Sequence, residues 1–496
     1  MFKRIPNGAS RIQKSWARPF ITCALLVLAI VICDCGVANA SPTNKVMAIP
    51  AFARKYGLPC SACHTAWPEL NNFGTVFRDN GYQLGNERDS PIWQNPSYFP
   101  ITFRITPNWH RETAGNQQVD SVPGGGGGST TVSRNVTQAG FDLSGMDLWS
   151  AGTLFKNISF QLLPSSDATA VWHFESAWVR IDNIKGSSWL NFKFGRFELD
   201  NLVSEKRFLF LSGNGGIYQI YHFNVPGSLN DFGYGDNQIG VELMGHNANS
   251  YTRYSIALLS SNEGGVNLTN SVTPGGNPSS RSFDGNLAFS QAFNAGSLGL
   301  ERIGAFAYIG QRPTYFQTTG GSGTGNSGNA TDLVGLGNEP FYRVGFAGDF
   351  FIKNLELLPL FMHGHDNAYL GNSIPSNSGP LPSTSRAPSF NGGFLEAHYY
   401  VNPQLVFLGR YEKINVGQQA DTGNPGNFGN VTAYSVGYRW YPIMFSRAGL
   451  AWHNEYSISK SIGIVPESGD GTGLPPLFPT QGVWSSSVFI GFDFDF

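Results

Sequence analysis

Beyond residue 99, apolar and polar side chains alternate one for one. Tyr342, Val344, Phe346 and Phe350 alternate with Arg343, Gly345, Ala347 and Asp349; Tyr434, Val436, Tyr438 and Trp440 alternate with Ser435, Gly437 and Arg439. Leu190, Phe192 and Phe194 alternate with Asn191 and Lys193, and Leu405, Phe407 and Tyr411 with Arg410 and Glu412. Successive side chains of a strand point to opposite faces, so each run predicts a strand with one apolar face. Residues 41–98 follow a helical period instead. Pro50 can open a helix, Gly57 can end it, and Pro59 prevents its continuation. A second helix is predicted from Pro68 to Asn80, stopped by Gly81, with Leu70, Phe73 and Phe77 on one apolar stripe.

The connectors between strands alternate in length. Short turns are expected near 442–446, 402–404, 353–354, 293–298, 246–250, 183–187 and 149–153. Long Gly/Ser/Asn/Pro stretches lie between them at 460–483, 416–430, 366–392, 312–340 and 262–281. Strands are predicted near 99–110, 139–148, 154–163, 170–182, 188–198, 236–246, 251–261 and 282–292, then near 299–311, 341–352, 354–365, 393–402, 404–415, 431–441, 446–459 and 484–496. Residues 217–224 also look strand-like, but counting them reverses the parity; 199–235 is therefore assigned to one long outer or inward-folded loop. Val488, Ile490, Phe492, Phe494 and Phe496 share a face, and this aromatic ending resembles the closing strand of bacterial outer-membrane proteins. The expected fold is mainly β: an antiparallel outer-membrane β-barrel of about sixteen strands, porin-like, at 99–496, preceded by a small α-helical domain at 41–98.

Residues 1–40 read as a signal peptide. A basic start (Lys3, Arg4, Arg11, Lys14, Arg18) precedes the apolar run Phe20 to Cys33 and the small-x-small site Ala38-Asn39-Ala40, giving a mature start near Ser41. Cleavage there would remove five Lys/Arg and one Asp/Glu, moving the net charge from −2 to −6. That balance argues against nucleic acid as a partner. Charged residues make up only 13% of the chain, yet no stretch after the signal has eighteen continuous apolar residues, so membrane-spanning helices are excluded and a barrel with a lipid-facing half is favoured.

The mature chain would keep two cysteines, in Cys60-Ser61-Ala62-Cys63-His64. Two thiols at this spacing, followed at once by histidine, form the attachment sequence of a c-type haem: the thiols bond the porphyrin and the imidazole ligates the iron. One haem c per chain is expected, with Cys60 and Cys63 covalently bound and His64 as the proximal ligand. The distal position has several candidates: Met47, His110, His173 or an open, water-ligated site. Met362-His363-Gly364-His365-Asp366 places two histidines on one strand face, better read as a solvated rim than as a metal site. Asp231, Asp236, Asp421, Glu467 and Asp470 could attract a cation from the loops, and His173 and Glu175 could both face the lumen.

The run from Ile49 through Cys60-Ser61-Ala62-Cys63-His64, continued by Trp67-Pro68-Glu69-Leu70-Asn71-Asn72-Phe73-Gly74 and Asn80-Gly81-Tyr82, resembles the fused cytochrome–porins. This family joins a monohaem cytochrome c to an outer-membrane barrel and includes outer-membrane iron-oxidising cytochromes. The sharp motif covers about forty residues, although the architecture matches throughout. The resemblance implies electron transfer across the bacterial outer membrane, with the N-terminal domain on the periplasmic side or within the barrel. The implied donor is extracellular Fe(II), the implied acceptor a periplasmic c-type cytochrome or other soluble carrier. The chain is then an iron oxidase, Fe(II):cytochrome c oxidoreductase, or simply an electron carrier. No residue marks iron oxidation itself. A solute-permeable porin with a haem plug or sensor, and an outer-membrane haem peroxidase, are the competing readings.

Overall fold

The computed structural model describes residues 50–84, 101–120, 131–155, 157–166, 171–207, 209–225, 232–260, 283–313, 316–319, 331–334, 338–366, 389–417, 429–445, 448–462 and 482–495. Residues 1–40, Met47, most of the long connectors and Phe496 lie outside them, as do Asp231, Asp421, Glu467 and Asp470.

Sixteen strands close into one antiparallel barrel. They are Ile101–Asp120, Thr131–Phe155, Ile158–Ser166, Trp172–Ile181, Asn191–Phe197, Gln238–His246, Thr252–Ser260 and Phe283–Asn294, followed by Leu300–Pro313, Asn338–Ile352, Leu355–His365, Ser389–Asn402, Leu405–Val416, Val431–Phe445, Ala448–Ile462 and Gly482–Asp495. Each pairs with its neighbours in sequence, and the first meets the last with Arg104 opposite Asp495 and Ile105 opposite Phe494. All sixteen lie where the alternation predicts strands. A further hairpin, Phe316–Thr319 with Thr331–Val334, forms a separate two-stranded sheet inside the long connector expected at 312–340.

One turn sits elsewhere than expected. The turn placed near 149–153 falls after Phe155, where Asn157 takes the left-handed conformation (φ 56°). Gly152 still pairs in register with Phe160, and the irregularity follows it: the register shifts between Thr153 and Phe155. A lone glycine inside a strand often signals a bulge rather than a turn.

The outer face is apolar. Phe346, Tyr399 and Val436 are more than half or nearly half exposed, while their strand neighbours Arg343, His398 and Ser435 are buried. The inner face departs from the simple rule of polar inside. On the strands from 338 to 416 it also carries Phe341, Leu358, Leu360, Met362, Phe390, Phe394 and Leu408, all buried. These pack against a segment folded inward, residues 209–225, together with Phe232 and Tyr234. Tyr218 stacks on Phe394 at 4.2 Å and Phe232 on Tyr308 at 4.1 Å. Residues 217–224 are therefore a buried insert rather than a strand. Arg410 donates to the carbonyls of Gly215 and Ile217, and Glu455 accepts from the backbone N–H groups of Leu211 and Ser212. These contacts satisfy an irregular backbone that could not otherwise be buried.

The N-terminal segment packs on the inner wall too. It contains α1 (Pro50–Tyr56), the single turn α2 (Cys60–Cys63) and α3 (Asn72–Asp79). Gly57 follows α1 with φ 62°, as a left-handed stop requires. The second helix starts later than the sequence predicts. Residues 68–71 are not helical, because Asn71 is the N-cap and its side chain accepts from Gly74 N–H at 2.9 Å. The stripe splits accordingly: Phe77 is buried, whereas Phe73 is exposed. Phe52 of α1 meets Phe77 edge-on at 4.9 Å and wall residue Trp149 at 5.2 Å. At the end of α3 the carbonyls of Arg78 and Asp79 accept from Arg180, both at 3.1 Å. A guanidinium from the wall thus satisfies orphan carbonyls of the last turn.

Candidate functional site

Three side chains of the haem-type motif border one cavity of about 280 Å³ between the N-terminal segment and the wall. The volume is at the lower edge of the range for ligand pockets, roughly 300–1,000 Å³. Cys60 and Cys63 enter from the ends of α2 as separate thiols, and His64 follows as its C-cap. Aromatic rings of Tyr56, Trp67, Phe77, Tyr82, Trp149 and Trp178 make much of the lining.

Local hydrogen bonds hold the turn that carries the motif. His64 N–H donates to the Cys60 carbonyl at 2.9 Å, closing the turn that brings both thiols to one side. Asn71 then clamps this turn. Its backbone N–H donates to the Cys63 carbonyl at 3.0 Å, and its side-chain amide donates to the carbonyls of Ser61 (3.2 Å) and Ala62 (3.1 Å). Gly74 lets α3 approach: a Cβ there would lie 2.2 Å from the Cys63 carbonyl oxygen. Sequence reasoning assigned no role to Asn71 or Gly74. Their signal, an Asn three residues before a helical Gly, is a capping pattern seen only once the helix start is known.

His64 is buried, and its Nδ1 lies 3.0 Å from the Glu69 carbonyl. A carbonyl only accepts, so Nδ1 carries the proton and a neutral ring holds its lone pair on Nε2. Burial lowers the His64 pKa to about 4, so the ring is neutral near pH 7. Burial also pushes the Cys63 thiol up to about 11. The set offers what a c-type haem needs: two adjacent thiols and a neutral imidazole with an oriented ring, in a cavity lined by both aromatic and charged side chains.

The remaining expected residues are scattered. His110 lies on the first strand opposite Phe489 and Gly140, 3.7 Å from Glu112, and does not line the cavity. Met47 falls outside the described residues. His173 and Glu175 do share the lumen face: His173 pairs with Ser165, whose hydroxyl donates to Glu175 at 3.2 Å. The register slips between Leu163 and Pro164, which places Glu175 against the cavity, while His173 is exposed and does not border it. His363 and His365 share the face of exposed Phe361; His363 Nδ1 meets Asn391 at 2.9 Å, and Tyr342 stacks on His365. Asp236 lies 3.9 Å from His222. The wall contributes a residue that the sequence did not single out, Met244, which is buried, borders the cavity and has Arg180 Nη1 3.9 Å from its sulfur.

The wall side of the site is strongly charged. Arg253 pairs with Asp79 (2.8 Å) and Asp200 (2.7 Å), and Arg104 with Asp493 (3.0 Å). Burial works to raise the Asp79 carboxyl, but the guanidinium groups of Arg253 and Arg78 outweigh it and hold it below the usual carboxylate range.

No family model matches the chain, and no curated protein matches it. Solved structures similar to it include OmpT, an outer membrane protein of Vibrio cholerae (10% identity, TM-score 0.42, covering 80% of this chain and 98% of that one). The anion-selective porin from Comamonas acidovorans is similar at 11% identity and TM-score 0.44, covering 80% and 98%. The outer membrane channel DcaP of Acinetobacter baumannii also has 11% identity and TM-score 0.44, covering 79% and 96%. Likeness at this level carries no reading of function for this chain.

Proposed function

We propose that this chain is an outer-membrane electron conduit, taking electrons from extracellular Fe(II) and delivering them to a periplasmic c-type cytochrome or other soluble carrier. The observation that carries this reading is the convergence of Cys60, Cys63 and the neutral, buried ring of His64 on one cavity against a barrel wall. Cys60 and Cys63 would hold a haem c covalently, and His64 Nε2 would ligate its iron. When bound, haem c supplies a reversible one-electron couple. The Glu69 carbonyl fixes the His64 ring, Asn71 fixes the turn that presents the thiols, and aromatic rings line the cavity beside them. Met47 and Met244 are the thioethers on offer for the remaining iron position. Iron oxidation outside the cell keeps poorly soluble ferric product away from the interior.

The exposed belt supports a membrane setting. Each large apolar side chain left in water forgoes about 1.5–3 kcal/mol of burial, and the outer face carries Phe283, Phe346, Ile309 and Val436, each more than half exposed. Lipid removes that penalty. Mixing the oxidised protein with Fe(II) while following the Soret and α bands tests the function. Rapid reduction is expected, with its loss in His64→Ala; a haem spectrum that Fe(II) leaves unchanged overturns the reading. A denaturing gel should keep haem staining in the wild type and lose it in the Cys60→Ala, Cys63→Ala double variant.

A solute-conducting porin is a second reading, favoured by closure of sixteen antiparallel strands. The aromatic insert at 209–225 and the N-terminal segment, both packed on the inner wall, weigh against a wide pore. Conductance of reconstituted protein separates the two.

A further inference from the structure

A second cluster gathers around the Glu69 side chain. The donor atoms of Glu69, Glu356 and His398 lie within 4.8 Å of one another. His398 Nδ1 is 3.2 Å from Glu69 Oε2 and 3.0 Å from Glu356 Oε2. Its other nitrogen, Nε2, is 2.7 Å from Glu396 Oε1. The Tyr400 hydroxyl contacts both Glu69 (3.1 Å) and Glu356. Glu356, Glu396 and His398 are all buried.

This arrangement poses a charge problem. Glu396 accepts the Nε2 proton and is itself paired with Arg410, which is also shared with Glu412. The Nδ1 lone pair of a neutral ring would then face two carboxylate oxygens, and only a proton or a cation between them makes that favourable. Asp349 adds to the problem. Its carboxyl group hydrogen-bonds Glu356, while its buried Oδ1 has no hydrogen-bond partner among the described residues and it borders the same cavity of about 90 Å³ as Glu69, Glu396 and His398.

We propose that Glu69, Glu356 and His398 bind a divalent first-row transition-metal ion, with Tyr400 and Asp349 beside it. One imidazole and two carboxylates suit ions of that class better than calcium or magnesium. With bonds of about 2.0–2.2 Å, donors on one ion lie roughly 3.0–3.5 Å apart, and the two Nδ1–oxygen separations of 3.0 and 3.2 Å already meet this. The Nε2-to-Glu396 bond is the carboxylate–histidine support that ligating histidines use to fix the ring. Glu69 links the site to the first cavity, since its carbonyl holds His64 while its side chain binds the ion. The site rests on the chain's own donors and is independent of the function proposed above.

Mn(II) is the probe. The chelator-washed full chain in detergent is titrated with Mn(II), and the signal of the free ion is read by electron paramagnetic resonance. One bound ion per chain is expected. Glu356→Gln and His398→Gln should abolish tight binding, and Glu396→Gln should weaken it roughly 10–100-fold. His363→Ala should leave it unchanged. Pulsed resonance on wild-type protein should show coupling to an imidazole nitrogen, a readout that no variant's misfolding can affect. Absence of bound Mn(II), absence of that coupling, or binding that is lost in His363→Ala but kept in Glu356→Gln and His398→Gln overturns the proposal.

Discussion

Two segments fold against the inner wall of the same barrel, and they are held in different ways. Residues 209–225 are fixed by aromatic packing and by side chains of the wall that capture their backbone, as when Glu455 accepts from Leu211 and Ser212. Residues 50–84 are also held by the wall, through Arg180, Arg253 and Tyr441, but they order their own site: Asn71, Gly74 and the His64–Glu69 contact organise the thiols. A filler needs only to be retained, whereas a site needs internal geometry that survives small movements of its support.

The comparison breaks most clearly at Glu455. In Glu455→Ala, buried N–H groups of Leu211 and Ser212 lose their acceptor, at about 1–3 kcal/mol each. Proteolysis within 209–225 and ion conductance should both rise, while haem content stays constant; a variant losing haem instead would show that the two segments act as one. Gly74→Ala is the counterpart. Its Cβ would press on the Cys63 carbonyl oxygen, so the haem spectrum or loading should change strongly without added conductance. Asn71→Ala is a smaller perturbation, removing a helix cap worth about 1 kcal/mol and two contacts to the attachment turn. Faster loss of native ligation on heating is expected, read from the Soret band.

The smallest effect is one of pH. The folded His64 pKa is lowered to about 4 by burial, below the ordinary imidazole value. A depressed histidine contributes stability that is present above its unfolded pKa of about 6.5 and is lost as pH falls through that window toward 4. In the haem-free chain the thermal resistance of the N-terminal segment should therefore be constant from pH 8 to 6.5 and decline only below that. A decline between pH 8 and 7 would indicate another titrating group.

Strand positions were legible because the period-two pattern is local and repeats sixteen times. Failures occurred where one residue type serves two purposes. The turn expected near 149–153 proved to be strand with a register slip between Thr153 and Phe155, and Pro68 looked like a helix start although Asn71 is the cap. The convergence of Cys60, Cys63 and His64 on one cavity was legible because the three lie within five residues. Met244, Arg180 and the cluster of Glu69 with Glu356 and His398 were not, because barrel register alone brings residues hundreds of positions apart into contact. The apolar stretches of the inner wall were illegible for a related reason: Phe390 and Phe394 make sense only once residues 209–225 are known to fold against them.

The central claim is that electrons, rather than solutes, cross this barrel. The direct measurement uses the protein reconstituted in sealed vesicles with a soluble c-type cytochrome trapped inside and Fe(II) added outside. The account predicts reduction of the trapped cytochrome with little ion conductance, and loss of that reduction in His64→Ala. A trapped cytochrome that stays oxidised, or that is reduced equally well with His64→Ala, would contradict it.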